Sequence, residues 1–77
     1  MRVVREIPLP DLKVTIFSWN NKYLVKLEQG LLEQTYKIPE TEISSEQELD
    51  ALLSEKFLNK ARLRFKDMME DLREAIF

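Results

Sequence analysis

The side chains of this chain that could do chemistry are hydroxyls, amines and carboxylates, because its 77 residues include no Cys and no His. This composition excludes disulfides, thiol nucleophiles and imidazole acid–base groups, and it removes the usual zinc ligands. The serines have no recognisable base arrangement beside them, and their positions suit strands and helix caps. We therefore predict no catalytic residues, no cofactor and no enzyme activity.

Four carboxylates at helical spacing are the remaining candidates for chemistry: Asp67, Glu70, Asp71 and Glu74. On one ridge of a helix they could bind a hard cation. No loop supplies carbonyl ligands, however, and no calcium-loop pattern is present, so we predict a solvated helix face and no metal. Catalysis by paired carboxylates is disfavoured for the same reason, because it needs a cleft that separates two pKa values.

The composition predicts one small domain over residues 1–77, with 44% hydrophobic and 34% charged residues and a net charge of −2. A chain of this length buries only about 60 to 65% of its unfolded surface, so most of its apolar residues are committed to one core. The balanced charge is not typical of a dedicated nucleic-acid binder. No apolar stretch reaches the ~18 residues that cross a bilayer, and no signal-peptide run is present. We expect a cytoplasmic protein without a membrane partner.

Alternating residues on both sides of Asn20-Asn21 predict an antiparallel hairpin. Closing the turn at these two residues pairs Trp19 with Lys22 and, at the far end, Lys13 with Glu28. One face of the hairpin then carries apolar side chains, namely Val14, Ile16, Tyr23, Val25 and Leu27.

Gly30, the only glycine, predicts the next reversal and a third strand that ends at Pro39. We expect Leu27 to pair with Leu32 and Lys26 with Glu33, which adds Leu32, Tyr36 and Ile38 to the apolar face. The result is a three-stranded meander. Residues 3–9 could add an edge strand, but Pro8 and Pro10 limit their pairing.

The second half of the chain predicts two helices, because it has no Gly and no Pro after Pro39. Ser45 and Glu48 form a capping-box pattern that starts the first helix. The apolar stripe of residues 49–53 points about 140° away from that of residues 58–76, so we expect a break near Ser54. The predicted fold class is α+β: a three-stranded antiparallel meander, then a short helix and a long C-terminal helix, packed on one sheet face.

The face of the meander away from the helices carries the most informative residues. It holds large apolar groups among charges, and the candidate interaction surface is Phe17, Trp19, Leu24, Leu31 and Lys26. One interpretation is that the N-terminal segment, through Val4, Ile7 and Leu9, or the end of the long helix covers these residues. Another is that a protein partner or a second copy covers them.

Two further interpretations of the surface stay open. The stretch Met68–Leu72 gives the long helix a wide apolar face that packs on the sheet or forms an interchain contact. Aromatic residues flanked by lysines also resemble a stacking platform for single-stranded nucleic acid, although Glu28 and Glu33 oppose this. Our leading prediction is a non-enzymatic interaction module, a protein that binds a partner or itself as a homodimer; weak single-stranded nucleic-acid binding is the alternative.

The segment Ile16-Phe17-Ser18-Trp19-Asn20-Asn21-Lys22-Tyr23-Leu24-Val25-Lys26-Leu27-Glu28, followed by residues 33–38, resembles short uncharacterised bacterial proteins of about this length. The resemblance covers most of the chain. It implies a small bacterial cytoplasmic protein and carries no activity to particular residues.

Overall fold

Four antiparallel strands and two helices make up the computed structural model, which describes residues 1–77. The strands lie in chain order across one sheet: β1 (Arg2–Pro8), β2 (Lys13–Trp19), β3 (Lys22–Gln29) and β4 (Leu32–Pro39). A 3-10 turn (Glu40–Glu42) leads to α1 (Glu46–Leu52) and α2 (Glu55–Ile76). The α+β class and the antiparallel meander are confirmed, but the sheet has four strands where we expected three.

The additional strand is β1, which the N-terminal segment forms. It pairs with β2 and makes up one edge of the sheet. Pro8 is tolerated because it lies at the end of an edge strand, opposite Lys13. The register shifts between Val3 and Arg5, which gives this edge an irregularity of the kind found in β-bulges. Arg5 then reaches Asp50 of α1 at 3.0 Å. The segment therefore extends the sheet and leaves its outer face uncovered.

The register of the β2–β3 hairpin is confirmed, from Trp19 opposite Lys22 to Lys13 opposite Glu28. Asn20 and Asn21 adopt φ of 53° and 61°, the left-handed conformation that a two-residue turn of this type requires. The predicted contact between Lys13 and Glu28 is not formed as an ion pair, since the Lys13 amine lies 3.8 Å from Glu6 of β1 instead. The N-terminal edge strand thus supplies the partner.

The predicted register between β3 and β4 is wrong by two residues. Gln29 lies opposite Leu32, and Leu27 opposite Gln34, because the reversal uses only Gly30 and Leu31. Gly30 has φ of 59° at the first turn position, which suits a tight two-residue turn and makes a longer loop unnecessary. A shift of two preserves the faces, so Leu32, Tyr36 and Ile38 still pack against the core.

The core lies between the inner sheet face and the helices. Its buried side chains come from both layers and are Leu12, Val14, Ile16, Val25, Leu27, Leu49, Leu58, Ala61 and Phe65. Gln34 of β4 fixes α2 on the sheet, since its amide donates to the carbonyl of Ala61 at 2.9 Å. The helices therefore cover one sheet face only.

The predicted break between the helices is confirmed at Ser54, whose side chain accepts a hydrogen bond from the N–H of Phe57 at 3.2 Å. Ser45 begins α1 but makes no side-chain cap hydrogen bond. Glu48 instead accepts from the N–H of Ser44 at 3.2 Å, one residue earlier than the capping box predicts. α2 buries Leu58, Ala61 and Phe65, and its last turns extend past the core.

Candidate interaction surface on the outer sheet face

The outer face presents an apolar row across three strands. Val3 lies opposite Phe17, and Phe17 lies opposite Leu24, so the three side chains share one face. Trp19 belongs to the next row and lies opposite Lys22. We call Val3, Phe17, Trp19 and Leu24 the outer patch. Its members occupy neighbouring rows near one end of the sheet.

The outer patch is accessible because no element of the chain lies over it. Val3 and Trp19 are each 50% exposed, while Phe17 and Leu24 are half-buried by their neighbours. A shallow cavity of about 230 Å³ opens beside Phe17 and Leu24, and Met1, Lys26, Glu33 and Thr35 complete its lining. The neighbouring Thr15 is buried at 4% exposure, so the middle of the face is densely packed. The patch is a shallow surface that suits contact with another surface.

Leu31 does not belong to this surface. The expected register put it opposite Glu28 on the outer face, but the tighter turn places it beyond the end of the strands. It is 90% exposed at the tip of the β3–β4 turn, at the opposite end of the sheet from Trp19. Four of the five predicted surface residues, Phe17, Trp19, Leu24 and Lys26, share the face.

Lysines border the patch on the side of β3 and β4. Lys22 lies opposite Trp19, Lys37 opposite Leu24, and Lys26 one row further along β3. Lys22 and Lys37 form no ion pair, whereas Lys26 lies 3.4 Å from Glu33.

Carboxylates occupy the other end of the outer face. Glu28 and Glu33 lie directly opposite each other, and Glu6 lies opposite Thr15. Because like charges on opposite residues repel, the Glu28–Glu33 pair weakens the hairpin slightly. The outer face is therefore apolar and basic at one end, whereas the other end carries Glu6, Glu28 and Glu33 together with Lys13.

Met1 and Val3 are surface residues that the sequence-based prediction missed, because it left the N-terminal segment out of the sheet. The available signal was the set of apolar residues in positions 3–9, which was outweighed by Pro8 and Pro10. The prolines do not prevent pairing when the segment forms the edge strand.

The end of α2 is a second exposed apolar region. Met68 packs against the core, Met69 and Leu72 are half-buried, and Ile76 and Phe77 are 65% and 92% exposed. The Met68–Leu72 stretch thus joins the core only in part. An open groove of about 460 Å³ lies between α2 and the β3–β4 turn, with Phe65 and Met69 as its hydrophobic lining residues.

The shifted titratable groups have a structural explanation. Arg62 of α2 donates to both carboxylate oxygens of Asp11, at 2.6 and 3.3 Å. These hydrogen bonds hold the pKa of Asp11 below its ordinary value and raise the pKa of Arg62. The pair ties the β1–β2 loop to the helix. The acidic side chains of α2 are not grouped so that three of them could hold a metal ion.

Neither helix is long and apolar enough to cross a membrane. Comparison with known proteins finds no matching family model, no matching curated protein and no matching solved structure. The likeness of residues 16–38 to short bacterial proteins therefore stays a prediction.

Proposed function

We propose that this protein is a non-enzymatic interaction module whose outer sheet face binds another protein. The observation that carries the proposal is that β1 widens the sheet and leaves the outer patch uncovered, with Val3 and Trp19 each half exposed. Adjacent large apolar side chains on an open surface are typical of interaction sites. From its composition we assign this binding to the cytoplasm.

The charges beside the patch define the partner's chemistry. Lys22 and Lys37 border Trp19 and Leu24 without an ion-pair partner of their own. A partner with an apolar ridge flanked by Asp or Glu would bury the patch and supply those partners. An acidic amphipathic segment is therefore the proposed ligand.

A second copy stacked face to face fits the outer patch less well. A two-fold axis along the strands would bring Phe17 over Leu24 and Lys13 over Glu28. It would also put Lys37 over Val3 at the apolar end of the face, where no carboxylate lies. Covering a lysine without a counter-charge is costly, which favours the acidic partner.

The size of the face limits the affinity. Four strands spaced about 4.8 Å apart and seven residues long give a footprint of roughly 450 Å². A standard interface covers about 800 Å² per partner, so we expect transient binding with micromolar or weaker affinity. Such binding suits a module that assembles and releases its partner.

Peptide titrations followed through Trp19, the only tryptophan, test the proposal. Three helical peptides would share one apolar stripe and carry Glu, Gln or Lys at the flanking positions. We expect the Glu peptide to bind about tenfold more tightly than the Lys peptide at low salt, with a smaller ratio at high salt. Lys22→Glu combined with Lys37→Glu should reverse the order, whereas the exposed Lys56→Glu on α2 should leave it unchanged.

Three results would contradict the proposal. One is equal binding of the three peptides, and another is no response from any of them at millimolar concentration. The third is tighter binding of a mixed single-stranded oligonucleotide than of the Glu peptide, which would favour base stacking on Trp19 and Phe17.

A further inference from the structure

The backbone edge of β4 is exposed, and the proposed function does not use it, although the Lys37 side chain on this strand borders the outer patch. The closing pair of a two-residue hairpin exchanges both of its hydrogen bonds. Gln29 and Leu32 form that pair, so every second residue from Leu32 bonds to β3. The backbone groups of the residues between them, Glu33, Thr35 and Lys37, point away from the sheet. No loop or side chain hydrogen-bonds to them.

The two edges of the sheet differ in their protection. β1 is irregular between Val3 and Arg5, ends at Pro8 and is tied to α1 through Arg5 and Asp50. β4 pairs regularly over eight residues and meets a proline only at its end, Pro39. Irregular strands and prolines discourage pairing between molecules, whereas a regular edge invites it.

We propose that β4 pairs antiparallel with β4 of a second copy, so that two chains form one eight-stranded sheet. The outward groups of Glu33, Thr35 and Lys37 fix the register, with Thr35 opposite Thr35 on the two-fold axis. Glu33 then lies opposite Lys37 of the second copy, and symmetry repeats this ion pair.

On the inner face of the junction, apolar residues meet at the two ends and polar residues meet near the axis. Leu32 lies opposite Ile38 of the second copy, and Gln34 lies opposite Tyr36. In the single chain, Leu32 and Ile38 are only half-buried, at the margin of the core. Arg64 of α2 donates to the side-chain oxygen of Gln34 at 2.9 Å and to the hydroxyl of Tyr36 at 3.0 Å. Each copy therefore brings one guanidinium to the inner side of the junction and leaves the outward backbone groups free.

The charges select this register over its neighbours. A shift of two residues puts Glu33 opposite Thr35 or opposite Pro39 and loses both ion pairs, while a shift of one mismatches the backbone groups. The irregular β1 edge stops further addition, so the assembly closes as a dimer. The axis is perpendicular to the sheet, and both outer patches therefore face the same side.

Sedimentation over a concentration series, with folding followed by circular dichroism, tests the dimer. We expect the wild type to associate between micromolar and millimolar concentration, since the contact is small. Across the junction, Glu33→Lys and Lys37→Glu each replace two contacts between opposite charges by two contacts between like charges. Either variant should weaken the dimer about tenfold or more. The variant that carries both substitutions should restore the dimer, because the exchanged charges again face opposite charges across the junction.

Two further variants separate this edge from the rest of the molecule. Thr35→Pro removes an N–H that points away from the sheet and breaks no hydrogen bond to β3, so it should abolish the dimer and keep the fold. Thr35→Val is the control, because it keeps the N–H and should therefore keep the dimer. Trp19→Ser should weaken peptide binding and leave dimerisation unchanged. A wild type that stays monomeric at millimolar concentration overturns the inference. So does a dimer that survives Thr35→Pro, or one that the double charge reversal fails to rescue.

Discussion

Replacing Phe65 by alanine probes the assignment of the core directly. Phe65 is 1% exposed and is the largest fully buried side chain, whereas Phe77 at the end of the same helix is 92% exposed. A buried Phe→Ala change costs about 3 to 5 kcal/mol of the free energy of unfolding, through lost burial and the cavity left behind. At an exposed position the same change stays within about 0.5 kcal/mol.

This loss is large relative to the whole stability of the domain. At about 0.05 to 0.15 kcal/mol per residue, a chain of this length has a free energy of unfolding of roughly 4 to 12 kcal/mol. Phe65→Ala should therefore lower the melting temperature by about 12 to 40 °C, while Phe77→Ala should leave it nearly unchanged. Thermal melts by far-UV circular dichroism measure both values. Equal shifts for the two variants would refute the assignment of α2's apolar stripe to a buried half and a projecting half.

Three smaller changes test the turn, the helix cap and the loop ion pair. Gly30→Ala should lower the free energy of unfolding, measured by urea denaturation, by about 1 kcal/mol; the cause is the φ of 59° alone, since nothing lies within 4 Å of the added Cβ. Gly30→Asn should lower it less, and equal losses for the two variants would contradict the turn assignment. Ser54→Ala should lower the free energy of unfolding by about 1 kcal/mol and Ser45→Ala by much less, because only Ser54 makes a side-chain cap hydrogen bond. A larger loss for Ser45→Ala than for Ser54→Ala would contradict this assignment of the caps. Asp11→Asn should lower the melting temperature slightly at pH 7. Because the pKa of Asp11 is lowered in the folded protein, its carboxylate stabilises the fold above the ordinary aspartate pKa, and this stabilisation is lost as the pH falls through the pKa of the folded protein. The melting temperatures of the wild type and Asp11→Asn should therefore converge from about pH 4 downward. Asp67→Asn is the control, because Asp67 forms no ion pair. A difference in melting temperature between the wild type and Asp11→Asn that persists at low pH would contradict the role of the Asp11–Arg62 pair.

The local turn chemistry explains why one hairpin could be predicted and the other could not. Asn20 and Asn21 both tolerate positive φ, so the turn and the alternating faces indicated the same β2–β3 register. For β3 and β4 the alternation repeats every two residues, and a shift of two changes no side chain's face. Only the geometry at Gly30 separates the two registers. The misplacement of Leu31 follows from that ambiguity.

The helix break was predictable because a straight helix cannot turn two apolar stripes toward one core, and Ser54 offered a cap. The edge strand β1 was not predictable, because the presence of Pro8 in the sequence does not show that this proline lies at the end of a strand. Phe17, Trp19, Leu24 and Lys26 share a face in either case. Their exposure depends on the path of the first nine residues, which long-range pairing decides.

NMR mapping of the Glu-flanked peptide tests whether a partner binds at the outer face. Backbone amide shifts would be followed in the ¹⁵N-labelled protein during the titration. We expect binding at the outer face to concentrate the shifts in the outward residues around Val3, Phe17, Trp19 and Leu24, and we expect Trp19→Ser to reduce them. Shifts concentrated in α2, or none up to millimolar peptide, would contradict it.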